Sequence, residues 1–344
     1  MSGDVPEGKV ITARGPVEPE ALGRVLMHEH IHCEIYDWEK QELIQEEKPI
    51  TKERHDFLMK EAVPYLKQCN DHGCHALVDV SPAPWRAWPT FYQEASDAAD
   101  FHIILSTGAY REVEQGTYWV KKPEDAIWPR IRNSSAQELT EFFTSEITDG
   151  INGTDVRAGA IKLGTSGPDM TETEIKAFRA GARAQKATGV HITTHCTKGA
   201  EVSQLPLFDE EEVDLSRVVI GHTAGALMNP EKREFCKEWM KRGANFLPTN
   251  LRVDGEKGPE QWRPLVEAFH DIFDAGLGDR VVLGLDCAFT SESGPFQYAI
   301  IPPPPFLYMF VETLPAFREM GLTEEEEDRM MTTNPQRILP VRKC

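Results

Sequence analysis

The sequence of 344 residues lacks the features that mark secreted, membrane-spanning and dinucleotide-binding proteins. Its seven cysteines are odd in number and form no CxxC pair, which argues against a disulfide framework or a zinc ribbon. No apolar run approaches the roughly 18 residues that cross a bilayer, and the polar N-terminus shows no signal-like apolar segment. No GxGxxG motif follows a strand-like run. We therefore expect a cytoplasmic protein with free thiols and no membrane partner.

Positive charge is also scarce, because 37 lysines and arginines stand against 56 aspartates and glutamates, for a formal net charge of −19. Such a chain is repelled by phosphate backbones and anionic lipid surfaces. We expect no nucleic-acid partner, and a small molecule as the substrate. The hydrophobic fraction of 40% suffices for a large core. The length suits one α/β barrel domain over residues 1–344.

Eight short apolar runs recur along the chain, and a longer amphipathic stretch follows each. They span residues 24–32, 76–82, 102–110, 157–165, 190–196, 217–223, 244–250 and 280–287. Strands that alternate with helices predict a parallel sheet, and eight such units predict a closed (β/α)8 TIM barrel.

Turn and capping residues add detail to this architecture. Residues 171–174 read TETE, a capping box ahead of a helical pattern that stops at Gly189. Residues 9–24 carry turn residues around Gly15, which predicts a short N-terminal β-hairpin. We expect residues 1–24 to cap one end of the barrel.

Polar side chains stand at the ends of five of the eight runs, where barrel enzymes place their chemistry. The first run ends in HEH, and alternation along a strand puts both histidines on one face. The residues concerned are His28, His30, Lys162, His195, His222 and Asp286. A single histidine at a strand end is more often an ordinary polar residue than a ligand. Coincidence at five strand ends would be rare, so we interpret this set as a metal site.

Lys162 is the unusual member, because it lies in the apolar run GAIKLG. Its neighbours Ile161 and Leu163 share one face, which leaves the lysine facing the barrel interior. A buried ammonium group is costly and burial lowers its pKa. A neutral amine can add carbon dioxide and become a carbamate, which is a bridging oxygen ligand. Four imidazoles, one carbamate and one aspartate suit zinc or similar ions. They could hold two metals about 3.5–4 Å apart with a nucleophilic hydroxide between them.

The other titratable residues receive ordinary structural interpretations. Asp79 is interpreted as a buried, hydrogen-bonded carboxylate, and the cysteines near strand ends as small buried hydrophobes. The histidines interpreted as ordinary polar residues are His32, His55, His72, His75, His102, His191 and His270.

The ordered motifs HEH, GAIKLGTSG, TTH, GH, GLD and the C-terminal NPQRIL resemble the phosphotriesterase family of the amidohydrolase superfamily over nearly the whole chain. The resemblance implies two divalent ions, with zinc as the default and manganese or cobalt as alternatives, and Asp286 as the general base. The implied ligands of the buried metal are His28, His30 and Asp286, those of the exposed metal are His195 and His222, and a carboxylated Lys162 bridges the two.

One departure from the family pattern bears on substrate choice. In the organophosphate-cleaving members, an acid and a histidine beyond strands six and seven relay the proton outward. Gly225 and Asn250 stand at the matching positions here. The departure weakens the expectation of organophosphate turnover and leaves the lactonase-like and amide-cleaving branches open.

Candidate substrate-binding residues follow the third and seventh runs. Tyr110 resembles a tyrosine that lactonase-like members place over the metals, and Arg111 follows it. Arg252 could receive a carboxylate or phosphate, or could pair with Asp254 or Glu256 as an ordinary loop arginine. Four tryptophans either line the pocket or pack the core, namely Trp85, Trp88, Trp119 and Trp128.

These observations favour a binuclear metal-dependent hydrolase of esters or lactones, with phosphotriester cleavage as a side activity. An amidase acting on N-acyl amino acids uses the same centre and is the alternative. A mononuclear deaminase would lack Lys162, and a non-catalytic binding barrel would show a broken ligand set. An isomerase or decarboxylase is disfavoured by the lack of a glycine-rich phosphate motif near strands seven and eight. A homodimer is expected only because dimers are the commonest oligomers among soluble proteins.

Overall fold

Strands alternate with helices along the chain, as the sequence predicts. The computed structural model describes residues 5–33, 49–83, 85–86, 88–112, 129–196, 198–255, 257–289 and 304–343, and the backbone of 36–37 and 42–43. Its strands are β1 Val10–Thr12, β2 Gly15–Val17, β3 Arg24–Glu29, β4 Tyr36–Asp37, β5 Glu42–Leu43, β6 Cys74–Asp79, β7 His102–Gly108, β8 Ala158–Gly164, β9 His191–His195, β10 Val218–Gly221 and β11 Asn245–Leu247.

Helices surround the sheet. The α-helices are α1 Lys52–Glu61, α2 Val63–Cys69, α3 Pro89–Ala99, α4 Pro129–Asn133, α5 Ala136–Thr148, α6 Glu172–Thr188, α7 Glu201–Glu210, α8 Ala224–Met228, α9 Pro230–Lys241, α10 Arg263–Asp274, α11 Leu314–Glu319, α12 Glu324–Asp328 and α13 Asn334–Ile338. None of the helices in these ranges is both long and apolar enough to cross a bilayer. The six cysteines in the same ranges are buried.

Seven parallel strands form one curved sheet in the order β11-β10-β9-β8-β7-β6-β3. Residues 281–289 lie between its two edge strands, with single bridges from Val281 to Phe246 and from Ala288 to His30. The amide of Met27 also donates to the Leu283 carbonyl at 3.0 Å. The sheet is thereby nearly closed into the predicted TIM barrel.

The predicted eighth strand, residues 280–287, does not form a regular strand, and its only bridge to a neighbouring strand within the described residues is that of Val281 to Phe246. Close packing explains the irregularity, because a Cβ atom at Gly284 would lie 2.8 Å from the backbone nitrogen of His28. Asp286 then adopts a left-handed conformation with φ 61°, which breaks the extended geometry that a ladder needs.

The N-terminal hairpin predicted from the sequence is present as β1 and β2, which pair antiparallel. It closes the end of the barrel at which the strands begin, because the Ala13 amide donates to the Ile103 carbonyl at 2.8 Å. The apolar side chains that fill the barrel interior at this end include Val10, Leu22, Ile338 and Leu339.

The C-terminal NPQRIL segment helps to close the same end. The side-chain amide of Asn334 donates to the carbonyls of Gly278 and Val281 at 2.9 and 2.7 Å. These bonds anchor the start of residues 281–289, which we call the closing segment.

The helix predicted from TETE is α6, with a complete capping box between Thr171 and Glu174 and with Gly189 in the left-handed conformation. These caps satisfy the backbone groups that the ends of α6 leave unpaired.

A buried ion pair joins the loop after β6 to the helical layer. The Arg86 guanidinium donates to the Glu146 carboxylate of α5 and to the Ser106 carbonyl of β7. The Arg86 and Glu146 side chains are 0% and 4% exposed, so both charges depend on protein partners rather than on water. Removal of one partner from such a pair leaves an uncompensated buried charge.

We predict that Glu146→Ala lowers the free energy of unfolding by about 3–5 kcal/mol, because it removes the carboxylate that compensates the buried charge of Arg86. The double variant Arg86→Met with Glu146→Leu should regain most of the loss. Chemical denaturation measures both effects, and Glu141→Ala on the exposed face of α5 is the control. A loss for Glu146→Ala no larger than the control's would contradict this account.

Candidate metal centre

Six polar side chains meet at the end of the barrel where the strands finish. They come from five successive places along the chain, which the parallel sheet brings to one edge. His28 lies in β3 and His30 just beyond it, Lys162 in β8, His195 at the end of β9, His222 after β10 and Asp286 in the closing segment. The structure therefore brings together all six side chains that the sequence analysis selected.

Asp286 lies at the middle of the group. Its Oδ1 is 3.3 Å from His30 Nε2 and 3.6 Å from His28 Nε2, and its Oδ2 is 3.8 Å from His222 Nδ1. Lys162 Nζ is 3.1 Å from His28 Nε2. The rings of His195 and His222 have centroids 4.2 Å apart. These distances place nitrogen and oxygen atoms around one small volume.

A β-bulge in β3 aims the first two histidines. The pairing of β3 with β6 shifts register between Leu26 and Glu29. Met27 packs in the barrel interior, and the His28 ring also points inward, where a Cβ at Gly221 would lie 3.3 Å from it. Plain alternation would set these two neighbours on opposite faces. The bulge is therefore needed to turn His28 and His30 towards the centre.

Three residues share the left-handed conformation, one after β10, one after β11 and one within residues 281–289. The φ angles are 59° for His222, 59° for Asn250 and 61° for Asp286. Residues other than glycine rarely adopt this conformation, and it clusters at functional sites when the surrounding structure enforces it. It turns each side chain inward directly at the strand end.

Burial determines the charge states in the cluster. It lowers the pKa values of His28 and His195 far below the ordinary range and lowers that of His222 to about 4. Burial likewise lowers the pKa of Lys162 to about 7. Burial opposes ionisation of Asp286, yet the adjacent His222 and His30 bring its pKa down to about 2. Neutral imidazoles and an ionised carboxylate are the forms that bind metals.

The donor set fits a divalent cation. Among the described residues, His28 Nδ1, His195 Nε2 and His222 Nε2 are buried and find no hydrogen-bond partner, although buried polar atoms normally have one. Within the part of the chain that the structure describes, His28, His222 and Asp286 each offer a ligand atom, all within 4.8 Å of one another. Histidine and carboxylate ligands suit zinc and related ions.

Two hydroxyl groups form hydrogen bonds with the rings of His30 and His222. Ser81 Oγ lies 2.7 Å from His30 Nδ1, and Thr249 Oγ1 lies 2.8 Å from His222 Nδ1. Partners of this kind hold the ring and the tautomer of a metal-binding histidine. Sequence reasoning missed both residues, because a serine or threonine beyond a strand end carries no distinguishing pattern.

Asn250 lies beside Asp286, and its Nδ2 donates to Asp286 Oδ2 at 3.0 Å. An amide therefore lies beside Asp286 at the position that the resemblance assigns to the relay histidine of the organophosphate-cleaving members. Gly225 has no side chain, so that position supplies no acid either, and a Cβ atom built there would meet none of the described residues within 4 Å.

The ordinary interpretations of Asp79 and His32 are confirmed. Asp79 is buried and accepts hydrogen bonds from the amides of Ile31 and Ser81 at 2.7 and 3.0 Å. His32 lies beyond β3, and its Nδ1 is 2.8 Å from the Trp85 carbonyl.

Tyr110 and Arg111 lie next to the cluster. The Tyr110 ring is 5.1 Å from that of His195 and 4.0 Å from that of Trp85. The buried Arg111 places its guanidinium 5.2 Å from the Tyr110 ring centroid. Their loop lies against β8, because a Cβ at Gly164 would come within 3.1 Å of the Arg111 nitrogen.

Arg252 is engaged elsewhere, since its guanidinium donates twice to Asp254, at 3.2 and 3.0 Å. This ion pair is the ordinary interpretation weighed from the sequence, and contact between Arg252 and a substrate stays a prediction. Trp119 and Trp128 fall outside the described residues.

The phosphotriesterase family profile matches residues 8–339. The chain belongs to this family. Family membership accounts for the barrel and for the convergence of histidine, lysine and aspartate side chains at one end of it. It also establishes that the protein is related to hydrolases.

Curated relatives and solved structures cover nearly the full length. The phosphotriesterase homology protein of Mycobacterium tuberculosis is 27% identical over 331 residues, which are 95% of this chain and 96% of that one. The N-acetyltaurine hydrolase of Salmo salar is 24% identical, covering 96% and 98%. A solved structure of an organophosphate hydrolase engineered from a weak promiscuous lactonase has a TM-score of 0.77 at 26% identity, covering 96% and 99%.

We predict that Ser81→Ala weakens zinc binding by about 10–100-fold, because it frees the His30 ring to turn. Competition with a chromophoric chelator measures the affinity. Ser96→Ala is the matched control, since that buried serine on α3 bonds to the Phe101 carbonyl away from the cluster. Equal affinities in the two variants would show that Ser81 does not orient the ligand.

Proposed function

We propose that this protein is a metal-dependent hydrolase that cleaves carboxylic esters and lactones at a binuclear centre. The observation that carries the proposal is the convergence of six side chains, in which the Asp286 carboxylate lies 3.3–3.8 Å from three of the histidines. Membership of the phosphotriesterase family supports the hydrolase class.

The proposed ligands divide into two groups around a bridge. His28, His30 and Asp286 would hold the more buried ion, and His195 and His222 the more exposed one. The buried Lys162, whose Nζ lies 3.1 Å from His28 Nε2, would bridge the two ions as a carbamate. Bound zinc, manganese or cobalt would supply hydroxide at neutral pH and polarise the substrate carbonyl.

The remaining roles belong to the chain itself. The Asp286 side chain is 19% exposed, so solvent reaches part of its carboxylate, which is the proposed acceptor of the proton released as the nucleophile adds. Asn250 holds the second carboxylate oxygen at 3.0 Å and fixes its orientation. Tyr110 covers His195 and would limit where the acyl group lies.

An amide substrate with an anionic group is the second candidate. The buried Arg111 guanidinium acts electrostatically on His195, His222 and Lys162, which places a fixed positive charge beside the centre. A planar guanidinium suits carboxylate or sulfonate recognition. The similarity to a protein named N-acetyltaurine hydrolase supports this candidate as well.

Organophosphate cleavage is proposed only as a side activity. Asn250 and Gly225 provide no titratable path from Asp286 towards solvent along the route expected for efficient members. An amide side chain does not accept and release protons near neutral pH.

We predict close to two divalent ions per chain in protein purified without chelator. Chelation should abolish hydrolysis, and zinc, manganese or cobalt with bicarbonate should restore it. Elemental analysis counts the ions, and a panel of lactones, N-acyl amino acids and aryl phosphotriesters identifies the substrate class. Lys162→Met keeps most of the aliphatic packing but removes the bridge, so it should lose at least one ion.

Each outcome distinguishes among the hypotheses. Turnover of lactones and simple esters supports the leading proposal, whereas turnover of N-acyl amino acids alone replaces it with the second candidate. Arg111→Met should then raise KM for anionic amides more than for neutral esters. Failure to bind any metal after incubation with all three ions and bicarbonate would exclude the mechanism.

A further inference from the structure

Glu29 lies between the two histidines of the HEH motif, and its side chain reaches across the gap in the barrel. Its Oε1 accepts a hydrogen bond from the Leu285 amide at 2.7 Å, and its Oε2 accepts one from the Cys287 amide at 2.9 Å. The Glu29 side chain is completely buried. These two amides stand on either side of Asp286.

The backbone of the same motif holds the amide between them. The Asp286 nitrogen donates to the His28 carbonyl at 2.8 Å. Three successive amides, those of residues 285 to 287, are thus held by His28 and Glu29. No regular ladder holds this segment, so these bonds take the place of strand pairing there.

The conformation of Asp286 makes such support necessary. Its φ of 61° is unfavourable for a residue with a Cβ atom. A strained residue persists only when neighbouring contacts over-determine its position. A carboxylate that takes the amides before and after Asp286 supplies that constraint on both sides.

We propose that Glu29 is a positioning residue of the metal centre, whose carboxylate holds the segment that carries Asp286. The inference rests on the proposed function, because it takes Asp286 as a metal ligand. Glu29 contacts neither the substrate nor the reacting atoms in this role. The HEH motif thereby supplies two ligands and also orients a third from the far side of the barrel closure.

The test compares Glu29, at the end of β3, with Glu327 of α12, a buried carboxylate that contacts the start of the same strand. In Glu29→Gln the amide side chain offers one acceptor oxygen instead of two, so one backbone amide loses its partner. Glu327→Gln is the matched control, because Glu327 is 1% exposed and pairs with Arg24 and Arg318 at the start of β3. Both substitutions should lower the thermal unfolding temperature.

Metal binding separates a positioning role from a purely structural one. Zinc affinity is measured by chelator competition, and the visible absorption spectrum of the cobalt-loaded protein reports ligand geometry. We expect Glu29→Gln to weaken zinc binding by about 10–100-fold and to alter the cobalt spectrum, with Glu327→Gln unchanged in both. If Glu29→Gln does not fold, Glu29→Asp, with a carboxylate too short for both amides, should show a weaker form of the same defect.

Two results would overturn the proposal, and they are distinguishable. Wild-type zinc affinity and cobalt spectrum in the Glu29 variants would show that the residue supports only the fold. Absence of metal binding in the wild-type protein itself would remove the metal centre, and with it both proposals.

Discussion

Closure of the barrel between β3 and residues 281–289 is the constraint on which the rest of the site depends. His28 and His30 lie on one side of this closure and Asp286 lies on the other. At the closed end of the barrel, Asn334 and the packing of Val10 and Leu339 hold the segment where it begins. At the open end, the bonds from residues 285–287 hold it where it supplies its side chain.

The closure is irregular because a regular strand could not point the side chains of the cluster into the barrel. A regular strand would keep Asp286 in an extended conformation. Plain alternation in β3 would point the side chains of Met27 and His28 to opposite faces of the sheet. The bulge in β3 and the left-handed Asp286 turn these side chains inward. Backbone bonds lost to this geometry are recovered by buried side chains, of which Glu29 is the clearest case.

The cluster is also costly to fold. Several imidazoles, a lysine and a carboxylate share a volume from which water is largely excluded, and some of their nitrogens have no hydrogen-bond partner in the part of the chain that the structure describes. Burial keeps the imidazoles neutral. A protein accepts unsatisfied buried groups mainly where they serve a ligand. Gly225 and Asn250, the positions that the resemblance marks as departures from the organophosphate-cleaving pattern, are not among the six side chains, although Asn250 donates to Asp286 at 3.0 Å.

Sequence alone determined the barrel, the hairpin and the identity of the six clustered residues, because hydrophobic period and polar strand ends are local patterns. It placed Lys162 on the opposite face from Ile161 and Leu163, and the structure has these two in the large apolar core and Lys162 beside His28. It could not place the bulge beside His28, the left-handed Asp286 or the hydroxyl of Ser81 behind His30. Those features arise from contacts between segments far apart in the chain. Only the tertiary structure decided them, because a register shift or an orienting hydrogen bond depends on which partner the closed barrel brings near.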